Sequence, residues 1–201
     1  MAHGTDLGAH PAAEGWAIRR LERMAPAEHE ALVDVLIDCV HGGASVSFLQ
    51  PLARSAAREF WAGVAAAVAR GERALLVAAD THGIAGTVQV VLAQPENQPH
   101  RADVAKMLVH RRARRRGLGA ALMRAAEETA RACGKTLLVL DTASDTAERL
   151  YLRLGWERCG VIPGYALLPD GGYCDTTYLY RWLVPPPAPA RPLANTGATP
   201  T

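Results

Sequence analysis

The segment of this 201-residue chain best suited to chemistry is Val109-His-Arg-Arg-Ala-Arg-Arg-Arg-Gly-Leu-Gly-Ala-Ala-Leu-Met123. It follows the alternating run 102–109 and opens an alanine-rich run that reaches Cys133, so it reads as a loop between a strand and a helix. A helix start carries backbone N–H groups with no partner, and its dipole attracts negative charge. Gly117 and Gly119 remove side chains that would hold an anion away from the main chain. Arg114, Arg115 and Arg116 can add counter-charge, and Leu118 and Ala120 complete the turn. A pyrophosphate-bearing cofactor is the expected ligand.

Three other readings of the same loop fit less well. A dinucleotide fingerprint wants Gly-x-Gly-x-x-Gly, but Leu122 stands at the third glycine and the loop follows the fourth predicted strand, not the first. A Walker loop needs Gly-Lys-Ser/Thr, which is absent. The run Arg111–Arg116 could meet nucleic acid, yet no aromatic stacking platform accompanies it and the net charge is only +2. No nucleic-acid partner is expected.

The elements that must hold this loop follow from hydrophobic period. Trp16–Leu21 alternates as a first strand; Pro26–Val40 and Ala53–Arg70 carry apolar residues at helical spacing; His41–Phe48 is a glycine-containing break between them. Arg73–Ala79 and Ile84–Leu92 form a hairpin about Asp80-Thr-His-Gly, and Ala102–Val109 is the next strand. After the helix Gly117–Cys133 come a strand Thr136–Leu140 bounded by Asp141, a short helix Asp145–Leu154, and strands Trp156–Ala166 and Cys174–Trp182. The order β-α-α-β-β-β-α-β-α-β-β predicts a mixed α/β (α+β) domain with one partly antiparallel sheet.

Length and composition agree with one domain: 49% of residues are hydrophobic and 21% charged. Residues 16–183 read as the working domain, 1–15 as a flexible leader, and 184–201, rich in proline, as a disordered tail. Cys39, Cys133, Cys159 and Cys174 are widely spaced, with no metal-ligand pattern, so no metal is expected. With no signal peptide or membrane-spanning run, the expected location is the cytoplasm, with no membrane partner.

Arg114-x-x-Gly117-x-Gly119, between a strand and a helix, resembles the acetyl-CoA motif of the GCN5-related N-acetyltransferase (GNAT) superfamily. Ala147-x-x-x-Tyr151-x-x-x-Gly155-Trp156 is similar to that family's later motif, and the element order matches its fold. Departures are Arg111 where many members have proline, Arg115 in place of a glycine, and Ser144 in place of an asparagine. His41–Phe48, Lys106–Val109, Pro163–Ala166 and Pro169-Asp-Gly resemble the tabtoxin-resistance acetyltransferases, which acetylate an amino-acid-like β-lactam toxin.

The resemblance implies a GNAT fold of about seven strands and four helices, with the fourth and fifth strands splayed apart. It implies acetyl-CoA as cosubstrate, its pantetheine arm along the backbone of Met107, Leu108 and Val109, its pyrophosphate on Arg114–Ala120, and a contact from Ser144. The activity implied is N-acetyl transfer to a small primary amine by direct attack in a ternary complex. Acetylation of a protein N-terminus or lysine, and a non-catalytic acyl-CoA-binding module, are the alternatives. The resemblance puts Tyr151 beside the sulfur as the acid, since a phenol of pKa about 10 can protonate a thiolate; packing on the last helix is its other reading. A backbone N–H near Leu108 is the implied oxyanion donor.

Asp141 is the base, or a charge that holds the substrate ammonium, or a helix cap, with Thr142 and Ser144 better placed to cap. Asp103 is the rival base through water, or the partner of an arginine. His41 and Tyr165 are substrate-wall residues, or structural ones. A homodimer is expected from the resemblance alone.

Overall fold

The computed structural model describes residues 15–185. The leader expected at 1–15 and the tail expected at 184–201 lie almost wholly outside them. The chain order is β1 (Ala17–Leu21), α1 (Pro26–His41), α2 (Arg54–Ala69), β2 (Arg73–Asp80), β3 (Gly83–Val91), β4 (Arg101–Val109), α3 (Leu118–Ala132), β5 (Leu137–Thr142), α4 (Asp145–Arg153), β6 (Glu157–Leu167) and β7 (Tyr173–Trp182). A single 3-10 turn, Arg111–Ala113, precedes α3.

The seven strands form one sheet in the order β1-β2-β3-β4-β5-β7-β6. All neighbours are antiparallel except β4 and β5, which run parallel. Each face carries its own core. On one face α3 and α4 lay Leu118, Leu122, Met123, Ala126 and Tyr151 against Leu76, Val88, Leu138 and Leu140. On the other, α1 and α2 lay Leu32, Leu36, Val40, Trp61 and Val64 against Leu75, Val77 and Leu108. The sheet is therefore buried on both sides at β2 and β3, whose strands read as near-continuous apolar runs.

Local sequence sets the helix ends. Pro26 opens α1, where its missing N–H costs nothing, and Glu28 Oε2 accepts the Ala25 N–H at 2.7 Å. Ser144 Oγ accepts the Ala147 N–H at 3.3 Å and so caps α4. One feature departs from the sequence reading, and one lies beyond it. The fifth strand runs on through Asp141 to Thr142, because both pair with β7. And β7 returns between β5 and β6, leaving β6 as an edge strand.

Candidate active site

The parallel pairing of β4 and β5 covers only Arg101–Asp103 against Leu137–Val139. Beyond those residues the strands part, and a cleft of about 1290 Å³ is lined by Val104–Val109 on one side and Leu140–Ser144 on the other. One residue of β4 drives the strand out of line. Thr87 pairs with Leu108 but Gln89 pairs with Ala105, so β4 carries an extra residue there, and Lys106 takes the left-handed φ of +49°.

At one end of the cleft lies the start of α3. Gly117 is its N-cap, with φ +81° and no side chain to satisfy the first turn. The first intrahelical bond is Ala121 N–H to Gly117 O at 3.1 Å, so the N–H groups of Leu118, Gly119 and Ala120 precede the ladder. These three residues, with Gly117, line the cleft. Of the arginine run, Arg114 and Arg115 line it too. Arg114 is braced: its Nε donates to Val109 O at 3.0 Å, and a Cβ on Gly42 would meet its Nη2 at 3.2 Å. Arg116 instead stacks 4.3 Å from the Trp16 ring centroid and does not line the cleft. Arg111 pairs with Asp38, and Arg112 with Asp80.

At the parting of the strands stand Tyr151 and Asp141. Tyr151 is 5% exposed, packed beside Trp156, yet it lines the cleft and no hydrogen bond engages its hydroxyl among the described residues. Burial pushes its phenol up, and the Asp141 charge adds to this, so it stays protonated. Asp141 lies opposite Tyr178 on β7, and its Oδ2 accepts the Thr176 hydroxyl at 2.9 Å. Tyr165 lines the same wall, its hydroxyl 3.0 Å from that of Tyr178. Each hydroxyl has the other for company, and Tyr178 is pushed up to about 12, chiefly by that bond.

This arrangement offers an anion cradle, a neutral acid and a carboxylate along one cleft. Residues 31–156 match the acetyltransferase (GNAT) family. The chain belongs to that family.

An N-acetyltransferase of otherwise uncharacterised role from Azospirillum brasilense, encoded between hisH and hisA, is 32% identical to this GNAT chain over 126 residues, 62% of this chain and 73% of the relative. Among solved structures, yncA of Salmonella typhimurium, a candidate acetyltransferase with its cofactor acetyl-CoA, superposes with a TM-score of 0.71 at 19% identity, covering 88% of this chain and 99% of that one. A phosphinothricin acetyltransferase of Sinorhizobium meliloti in complex with acetyl-CoA gives 0.70 at 17% identity, covering 84% and 88%. A ribosomal-protein-alanine N-acetyltransferase of Brucella melitensis gives 0.68 at 21% identity, covering 82% and 98%. The fold is shared by proteins named for small-molecule and for protein substrates alike.

Within this GNAT chain the cleft brings together Met107, Leu108, Val109, Arg114, Arg115, Gly117–Ala120, Asp141, Ser144, Tyr151 and Tyr165. Arg116, His41 and Asp103 lie outside its lining. The His41 ring accepts the Leu52 N–H at 3.4 Å, and Asp103 is paired with Arg101 and bonded to Gln94. Ser144, though at the rim, spends its hydroxyl on the α4 cap. Sequence reasoning missed Arg124 and Arg153, which also line the cleft, and Thr176, which orients Asp141. Among the described residues no group of three or more His, Cys, Asp or Glu is placed to hold a metal ion, and no helix is long and apolar enough to cross a membrane.

Proposed function

We propose that this GNAT chain transfers an acetyl group from acetyl-CoA to a primary amine of a small molecule. The observation that carries the acceptor's size is a tie across the cleft. The Gln50 N–H donates to Pro169 O at 2.8 Å, and the Ser45 hydroxyl donates to Leu167 O at 3.4 Å. The loop after α1 is thereby joined to the β6–β7 turn, and Ala44–Leu49 and Tyr165–Leu168 line the cleft beneath the join. A peptide needs an open groove there; a roofed pocket suits a compact amine.

Acetyl-CoA, when bound, supplies an acyl group activated as a thioester. The residues present fit it. The uncapped N-terminus of α3 and Arg115 would hold the pyrophosphate, and the unpaired edge of β4 at Met107–Val109 would hold the pantetheine arm. Asp141 would receive the amine's proton, or fix the ammonium before it is lost. Tyr151 would give its proton to the departing sulfur as the new C–N bond replaces the C–S bond, and regain one from solvent. A backbone N–H near Leu108 would face the charge that grows on the acyl oxygen.

Within this class we favour an amino-acid-like β-lactam toxin as acceptor, supported by the four tabtoxin-resistance-like segments, of which His41–Phe48 and Pro163–Ala166 flank the roof. A cytoplasmic location is proposed because all four cysteines are free. A homodimer is proposed because β6 is an edge strand with Val161 and Ile162 exposed; light scattering decides it, a monomer mass overturning it.

The test is CoA release from acetyl-CoA by the purified chain against tabtoxinine-β-lactam, free amino acids, aminoglycosides, polyamines and short peptides. Selective turnover of the β-lactam is expected. Selective turnover of another small amine discards the toxin, and turnover confined to peptides discards the small-molecule reading. Absence of acetyl-CoA binding in calorimetry discards the cofactor.

A further inference from the structure

The chain has two lysines, Lys106 and Lys135, and they are treated differently. Lys135 Nζ donates to Leu92 O at 2.9 Å and to Pro99 O at 2.8 Å, a role confined to bracing the chain. Lys106 lines the cleft, and its Nζ makes one hydrogen bond, to Ser47 Oγ at 3.1 Å. Among the described residues no carboxylate forms an ion pair with it, whereas Arg111 pairs with Asp38 and Arg112 with Asp80. Its ammonium sits 5.8 Å from the Phe60 ring centroid, an arrangement that holds a cation without neutralising it. Two of its three donors are left for a ligand.

The backbone beneath it is also unusual. Lys106 is held at φ +49° by the extra residue in β4, and Ser47, its partner, has φ +75°. Two non-glycine residues in the left-handed region, from separate segments, meet through their side chains at the cleft wall. Such conformations are unfavourable for residues with a Cβ and persist where a site over-determines them. On the far wall stands Asp141, whose charge supports the Lys106 ammonium while burial pushes it down. A cation and an anion thus face one roofed space, with Lys106 and Ser47 on one side and Asp141 and Thr176 on the other.

Resting on the small-amine reading above, we propose that Lys106 and Ser47 form an anion-holding subsite that takes the carboxylate of a zwitterionic acceptor whose ammonium faces Asp141. The acceptor class is then an amine that carries a carboxylate, and Lys106 is a specificity-determining residue. It touches the far end of the substrate and takes no part in proton transfer.

Two readouts on the full chain test this. With only two lysines, 13C-labelled lysine gives two side-chain signals, and Lys135→Arg leaves the Lys106 signal alone. In the presence of CoA, the L-amino acids and their carboxamides are titrated in turn. The Lys106 signal is expected to move with one or more acids and not with the matching amides. A signal unmoved by every acid, or moved equally by acid and amide, overturns the subsite.

In turnover, wild type is expected to favour acids over amides by roughly tenfold or more in kcat/KM. Lys106→Met should lose that preference through KM, and Lys106→Arg should restore part of it. A Lys106→Met protein that loses kcat on acids and amides alike would make Lys106 a base or a backbone prop, and overturn the proposal. If nothing is acetylated while the Lys106 signal still answers to acids, the transfer reading fails and the subsite stands.

Discussion

Thr176 Oγ1 donates a hydrogen bond to Asp141 Oδ2 at 2.9 Å, across the pairing of β5 with β7. Thr176 is 2% exposed, so its hydroxyl has no water to turn to and is committed to that carboxylate. One oxygen of Asp141 is thereby fixed and the other is left for the cleft. Thr176→Val keeps the shape and removes the donor. Turnover should fall roughly tenfold with acetyl-CoA affinity unchanged, and Thr176→Ser should recover most of it. Steady-state kinetics beside calorimetry checks this; an equal loss of cofactor binding would count against the orienting role.

Tyr151→Phe deletes the hydroxyl that has no partner in the cleft. The expected result is a fall in kcat of about 10²-fold or more, with little change in acetyl-CoA affinity. Because burial and Asp141 both push the phenol up, its acid form persists through the working range. The alkaline limb of the wild-type pH–rate profile should therefore not be set by Tyr151. Unchanged turnover by the phenylalanine protein would reduce Tyr151 to a packing residue beside Trp156.

Ser144 caps α4, and its removal should register as stability, not affinity. Ser144→Ala is expected to cost about 1 kcal/mol, a melting temperature lower by roughly 2–4 °C in a domain of this size. Acetyl-CoA binding, measured by calorimetry, should hold. A clear loss of affinity with an unchanged melting point would return Ser144 to the cofactor.

Glu127 gives a pH signature. It is 5% exposed, accepts the Trp156 N–H at 3.0 Å and pairs with Arg181, and burial pushes its carboxyl up despite both. Unfolded, it titrates near the ordinary 4.5; folded, above that. Between the two values the folded chain holds the proton more firmly, so this group's contribution to stability falls as pH rises through that window. Glu127→Gln keeps an acceptor for Trp156 but leaves Arg181 without its charge partner. Because the raised carboxyl makes the charged form the less favourable one in the fold, the neutral amide should raise stability at neutral pH and flatten the fall with pH. Thermal melts from roughly pH 4 to 7 on both proteins decide it.

Hydrophobic period was enough to mark the strands and helices, because each buries one face against a core that its own neighbours in sequence announce. Pro26 and the glycine after α3 marked ends for local reasons. The cleft was less legible. The extra residue of β4 leaves no trace in an alternating pattern, since Lys106-Met107-Leu108 reads equally well as regular strand. The insertion of β7 between β5 and β6 is a long-range pairing, and period says nothing about which strands meet.

The arginines show the same limit. Arg111, Arg112, Arg114 and Arg116 look alike in sequence, but their partners Asp38, Asp80, Val109 O and Trp16 mostly lie far along the chain. Arg124, two turns into α3, could have been suspected from its place on the same helix as Gly117 and Gly119. Thr176 and Ser47 carried no signal at all, because their importance lies in what each touches across the fold.

Those arginine destinations bear on the cost of association. The loop before α3 is fastened to α1, to the β2–β3 turn, to the end of β4 and to Trp16 before any ligand arrives. Its N–H groups therefore need no ordering when an anion docks, and little conformational entropy is lost there. The guanidinium groups of Arg111, Arg112, Arg114 and Arg116 act as guy-ropes: they hold a rigid peptide socket open, and in the proposed function that socket would do the gripping.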